Sequence, residues 1–225
     1  MSQMNPPLEL PGLQRLVEVC GRLKLSLEMT PPAHVPLKAG ALVEGLPFDP
    51  LLASVYAYAG FAAFATDVAG IILHPLEDAD RQLEDQNKRW VQRYREQLAL
   101  PTFIFAGEPH MAYHYATVPT LADNRGYQTV VRVDVYEEPF ALPVASNVDH
   151  FFDAYSRYLE ELIALPEGRE RGVGLLTFPW DVPHLLGRDG RLVELIHRGH
   201  LDPLMPGAEA RGWARRIVSA GKTRV

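Results

Sequence analysis

The sequence predicts an α+β domain, a mostly antiparallel or mixed sheet with helices packed on one face, followed by a C-terminal extension. Three observations carry that expectation. Residues 131–136 alternate Val131, Val133 and Val135 with Arg132, Asp134 and Tyr136, the period-two pattern of a strand with one buried and one wet side, which suits an antiparallel sheet. Residues 147–163 place Phe151, Phe152, Tyr155, Leu159 and Leu162 at helical spacing, and their rings are expected to anchor the core against those inward-turned valines. The chain has 225 residues, 47% hydrophobic and 22% charged, which is enough apolar material for one sizeable core.

Taken in order, Leu13, Leu16, Val17, Cys20 and Leu27 predict a first helix that ends at Thr30-Pro31-Pro32, where proline bars the helical conformation. Asp49-Pro50 is a start signal, an N-cap followed by proline at the first helical position, for a short helix ending near Gly60. Residues 61–65 and 68–73 read as strands around a turn at Thr66-Asp67. A long half-exposed helix is expected over 79–98, with Leu83, Asn87, Trp90, Tyr94 and Leu98 on one face, and Pro101 terminates it. Strands follow at 102–105, 111–116 and 127–136. Ser146 and Asp149 open the next helix in the manner of a capping box. Pro166-Glu167-Gly168 marks a boundary, dividing a 1–165 domain from a 166–225 extension too small for a core of its own and expected to pack on the first.

The 28 acidic residues exceed the 22 basic ones, so the chain as a whole repels polyanions, and nucleic acid is not an expected partner. The imbalance sits in the body, because the last sixty residues carry ten Lys/Arg against seven Asp/Glu. Cys20 is the single cysteine, which precludes an internal disulfide and fits a reducing compartment. No signal-peptide pattern occurs over Met1–Pro11 and no uninterrupted apolar span exists, so a cytoplasmic location with no membrane contact is expected.

No catalytic, metal-binding or cofactor-binding set stands out, and no enzyme is expected. His110 and His114 would lie on one face of a strand about 13 Å apart, too far to share an ion. His197, His200 and Asp202 lack the spacing of a zinc motif. No nucleophile elbow or glycine-rich phosphate loop occurs. Arg132, Asp134 and Tyr136 are the candidate partner-binding residues, an aromatic with paired charges on the side of the strand read as wet.

The order of elements, with Tyr58-Ala59-Gly60 before the first strands, a strand pair around Ala112–Ala116, the alternating strand at 128–136 and a helix opening Ala145-Ser146 and carrying Phe151-Phe152, resembles the SMI1/KNR4 (SUKH) superfamily over roughly residues 8–165. The helix at 79–98 and the extension after 166 depart from that pattern, and the superfamily's Trp-containing and Asn-Gly-Gly-type signatures are not plain. The resemblance implies a non-enzymatic protein-binding module, an immunity protein that neutralises a bacterial polymorphic toxin. Two other readings remain open at this point: a hydrolase whose site is assembled from His110, His114, Asp123 and Asp134, and a self-associating structural or regulatory protein joined through Trp180 and Trp213.

Overall fold

The computed structural model describes residues 8–33, 37–76, 83–136 and 139–222. Its centre is a seven-stranded, wholly antiparallel sheet in the order β1-β4-β5-β6-β7-β8-β9. The strands are β1 Leu27–Thr30, β4 Phe61–Phe64, β5 Ile71–Leu73, β6 Phe103–Gly107, β7 Tyr113–Val118, β8 Thr129–Asp134 and β9 Phe140–Ala145. A separate small hairpin pairs β2 Leu42–Val43 with β3 Leu46–Pro47. The helices are α1 Pro11–Leu23, α2 Pro50–Tyr58, α3 Leu83–Tyr94, α4 Val148–Ala164, α5 Gly168–Arg171, α6 Pro183–Leu186, α7 Gly190–His197 and α8 Ala208–Lys222. Among the described residues, no helix is long and apolar enough to cross a membrane.

The α+β class and the antiparallel sheet hold, while several local expectations are corrected. Helix α1 stops at Lys24, whose backbone is left-handed at φ 53°, and Leu27 belongs to β1, not to the helix. The expected 79–98 helix is seen from Leu83 to Tyr94, its first residues lying outside the described ones. At α4 the cap is Asn147, whose side chain accepts from the His150 N–H, while Ser146 Oγ meets the His150 ring. Asp149 serves a different helix, its Oδ1 accepting from the N–H groups of Gly12 and Leu13 and so satisfying the otherwise uncapped start of α1. A Cβ on Gly12 would come 2.0 Å from the Asp149 carbonyl oxygen, so only glycine allows this approach. Arg15 and Arg22 then both reach Glu160 along the α1–α4 contact.

Val131 and Val133 of β8 do not face α4. Arg132 is opposite Tyr115 in the register, and the Tyr115 ring lies 4.7 Å from that of Phe151 on α4, so Arg132 points to the α4 side and Val131 and Val133 to the other. Both faces are buried. On the second face α3 supplies the cover: Trp90 meets the His114 ring at 5.1 Å and donates to Thr102 Oγ1. Asn87 bonds both the N–H and C=O of Ile104 at 2.8 Å, where β6 bulges. The sheet is thus a central layer, with α1, α2 and α4 on one side and α3 on the other. Segments after 166 join the same core, since Phe178, Leu186, Ile217 and Trp213 are buried in it. Asp189 Oδ2 accepts from the Ser146 N–H at 2.6 Å.

Candidate functional site

Three connections converge at the end of the sheet where β7 begins and β8 ends: residues 65–70 between β4 and β5, 108–112 between β6 and β7, and 172–180 after α5. They close together tightly. Gly172 has φ 51°, and a Cβ there would come 2.3 Å from the Val68 carbonyl oxygen, so a side chain would push the 172–180 segment off the 65–70 turn. Between the connections lies a cavity of about 450 Å³, lined by Tyr115 and Arg132 from the sheet, Tyr155 and Tyr158 from α4, and Phe178 and Trp180 from the closing segment, among others.

Arg132 is the centre of this site. Its side chain is 3% exposed, and Nε donates to Glu108 Oε1 at 2.8 Å. The Tyr115 hydroxyl donates to the same oxygen at 2.9 Å, and the guanidinium lies 3.6 Å over the Tyr113 ring. Burial opposes the Arg132 charge, but the neighbouring Tyr115 and Glu108 outweigh it and raise its pKa. Burial, then the Glu108 charge, pushes the Tyr115 phenol well above its ordinary value, and burial raises Tyr155 and Tyr158 too. These phenols are therefore fixed donors. Tyr155 donates to the Ala69 carbonyl and Tyr158 to that of Leu176 at 2.8 Å, tying two of the three connections to α4.

Compared with known protein families, curated proteins and solved structures, the chain matches none. The chemistry of the site therefore rests on its own geometry.

Arg132, Asp134 and Tyr136 were expected together on a wet face. Arg132 and Asp134 do share a face, but it is the one α4 covers, and exposure rises along it: Arg132 is buried, Asp134 is half-buried and accepts from the Tyr136 N–H, and Tyr136 is 81% exposed. The buried end is the correction. The alternation alone reads Arg132 as solvent-facing because its partner, Glu108, is 24 residues away, on the connection between β6 and β7.

The hydrolase set is not brought together. His110 lines the Arg132 cavity, whereas His114 points to the opposite face, against Trp90 and His74. Asp123 folds its own loop at the far end of the β7–β8 hairpin, accepting from the N–H groups of Arg125 and Tyr127. Among the described residues no three His, Cys, Asp or Glu side chains are placed to hold a metal ion. Trp180 and Trp213 meet each other edge to face at 5.8 Å within one chain.

Glu108, Tyr155 and Tyr158 do not stand out as site residues in the sequence, whereas Tyr113 and Tyr115 belong to an aromatic set with Tyr127 and Tyr136 that does. Part of the signal was present: Tyr113 and Tyr115 alternate as Arg132 and Asp134 do, and Tyr155 and Tyr158 follow Phe151 at helical spacing. Which strand faces paired with which required the register.

Proposed function

We propose that the chain is a protein-binding module that engages its partner at the mouth of the Arg132 cavity and acts by occlusion, without turnover. The observation that carries this reading is the rim. Met111 is 53% exposed and Val173 48%, and both line the cavity. The Val135 N–H donates to the Ala112 carbonyl, which extends the β7–β8 pairing to the residue before the exposed Tyr136. A methionine and a valine left in water at the rim of an arginine-floored cavity, with the exposed Tyr136 at the end of the same β7–β8 pairing, make up the mixture enriched at interface centres. The commitment of Tyr115, Tyr155 and Tyr158 to acceptors within the chain supports the same reading, because these hydroxyls hold the loops in place.

For the partner, the SMI1/KNR4 resemblance implies a toxin domain, and the acidic balance of the chain suits a basic one. The test starts from the genes neighbouring this one, where a secreted protein with a variable C-terminal toxin domain is expected. The two purified proteins are expected to form a complex, and Tyr136→Ala combined with Met111→Ala is expected to weaken it by about 30-fold with the melting temperature unchanged. No complex with the neighbouring toxin would remove the toxin assignment, and a complex indifferent to both substitutions would remove the rim.

A further inference from the structure

The Arg132 guanidinium is only half used. Nε is held by Glu108 and one face by Tyr113, but neither terminal nitrogen carries a hydrogen bond among the described residues, and neither is sealed from the cavity that the side chain lines. A side chain this deeply buried that keeps a pair of parallel donors free is costly unless an acceptor takes them. The fork of Nη1 and Nη2 matches a carboxylate two bonds to two.

The rest of the lining narrows the ligand. Apart from Arg132, the ionisable groups that face the cavity among the described residues are Glu108, His110 and the four tyrosines Tyr113, Tyr115, Tyr155 and Tyr158. Glu108 sits against the same guanidinium, so a second negative charge on the ligand would meet repulsion, which favours a monocarboxylate over a phosphate dianion. Beyond the arginine the walls are rings, Tyr155, Tyr158, Phe178 and Trp180, with Phe178 5.1 Å from Tyr155 and 5.4 Å from Tyr158. Such walls accept a flat apolar body. A volume of about 450 Å³ lies in the range of small-molecule sites.

We infer that the Arg132 cavity binds a small organic monocarboxylate with a ring-bearing apolar body, its carboxylate on the Nη1–Nη2 edge and its ring among Tyr155, Tyr158, Phe178 and Trp180. This site stands whether or not a protein covers the mouth, because its recognition elements lie beneath the rim.

The test is a titration of the full chain with phenylacetate, 3-phenylpropionate and indole-3-acetate, and with phenylacetamide as the neutral isostere, followed by calorimetry and by NMR of the arginine side-chain nitrogens. At least one acid is expected to bind saturably and to shift the Arg132 guanidinium signals. The amide is expected to bind at least about tenfold more weakly, the worth of one charge-assisted bond. Arg132→Lys, which keeps the charge and loses the fork, is expected to bind the acids about tenfold more weakly; if that variant does not fold, the wild-type NMR titration decides. Equal binding of acid and amide, saturation that leaves Arg132 unmoved, or no binding by any of the three acids would overturn the inference.

Discussion

Arg132 and His114 sit on neighbouring strands, on opposite faces of one sheet, and they meet burial in opposite ways. Arg132 keeps its charge in the interior because Glu108, Tyr115 and the Tyr113 ring are built around it. His114 and its neighbour His74 have no such company: His74 Nε2 and His114 Nδ1 are sealed from water without a hydrogen bond among the described residues. Burial drives both below the ordinary histidine value, His74 to about 3 with a further push from His114. The same sheet thus holds one charge that is partnered and open to a cavity, and two neutral rings, His114 against Trp90 and His74 against His114. What separates them is the partner, not the depth.

Removing the partner should have the largest effect. Glu108→Ala leaves Arg132 buried and unpaired and is expected to cost about 3 kcal/mol in urea denaturation. The double variant Glu108→Leu/Arg132→Met should recover most of that loss, because it removes both charges. A single variant as stable as the parent would erase the contrast between the two faces.

Much of the fold was legible because its signals are local. Asp49-Pro50 declares a helix start, and Asp49 Oδ1 does accept from Leu51 and Leu52. The alternation at 131–135 fixed the strand and which residues share a face. It could not say which face met α4, because a charged residue reads as exposed unless its counter-charge is known, and Glu108 is 24 residues away. Strand β9 went unread since Pro143 breaks strand composition; the structure tolerates it at the sheet edge, beside a register shift opposite Val130 and Val131. Strand β1 was absorbed into the preceding helix because Lys24, not glycine, takes the left-handed turn that ends it.

Asp49 is an intermediate case between the two faces, a buried carboxylate with three backbone donors and no counter-charge among the described residues. Its Oδ2 accepts from the Gln128 N–H at 2.6 Å, yet burial still outweighs these bonds and raises its pKa from 3.8 to about 6. A raised folded-state value means the folded chain holds the proton more tightly, so this contribution is present below pH 3.8 and is lost as pH rises through about 6. Asp49→Ala is expected to cost about 2 kcal/mol at pH 5, and less at pH 7.5, in paired urea titrations. An equal cost at both values would place Asp49 with the fully partnered charges.

On the closed face, His114→Phe should change stability by less than about 1 kcal/mol at pH 7.5, because a buried nitrogen without a partner is lost. The depressed histidine values mean that stability falls as pH drops below the ordinary 6.5, for His74 toward about 3. The variant should therefore lose less than the parent in melting scans at pH 4 to 5. A steeper acid loss in the variant would show that His114 is protonated in the folded chain.

The smallest effect belongs to a surface counterpart. His150 is raised by its hydrogen bond to Asp189, against burial, so its contribution is present below 6.5 and fades as pH rises through the folded value. NMR titration should place the His150 inflection above 6.5 in the parent and lower in Asp189→Asn, and coincident curves would dissolve the pair.

The most direct test of the contrast is the Arg132 Nε–H resonance. The hydrogen bond to Glu108 and the ring of Tyr113 predict a signal that exchanges slowly with water and shows an Overhauser contact to the Tyr113 ring. A signal that exchanges as fast as those of exposed arginines, with no contact to that ring, would mean that Arg132 lies in solvent and that the cavity has no charged floor.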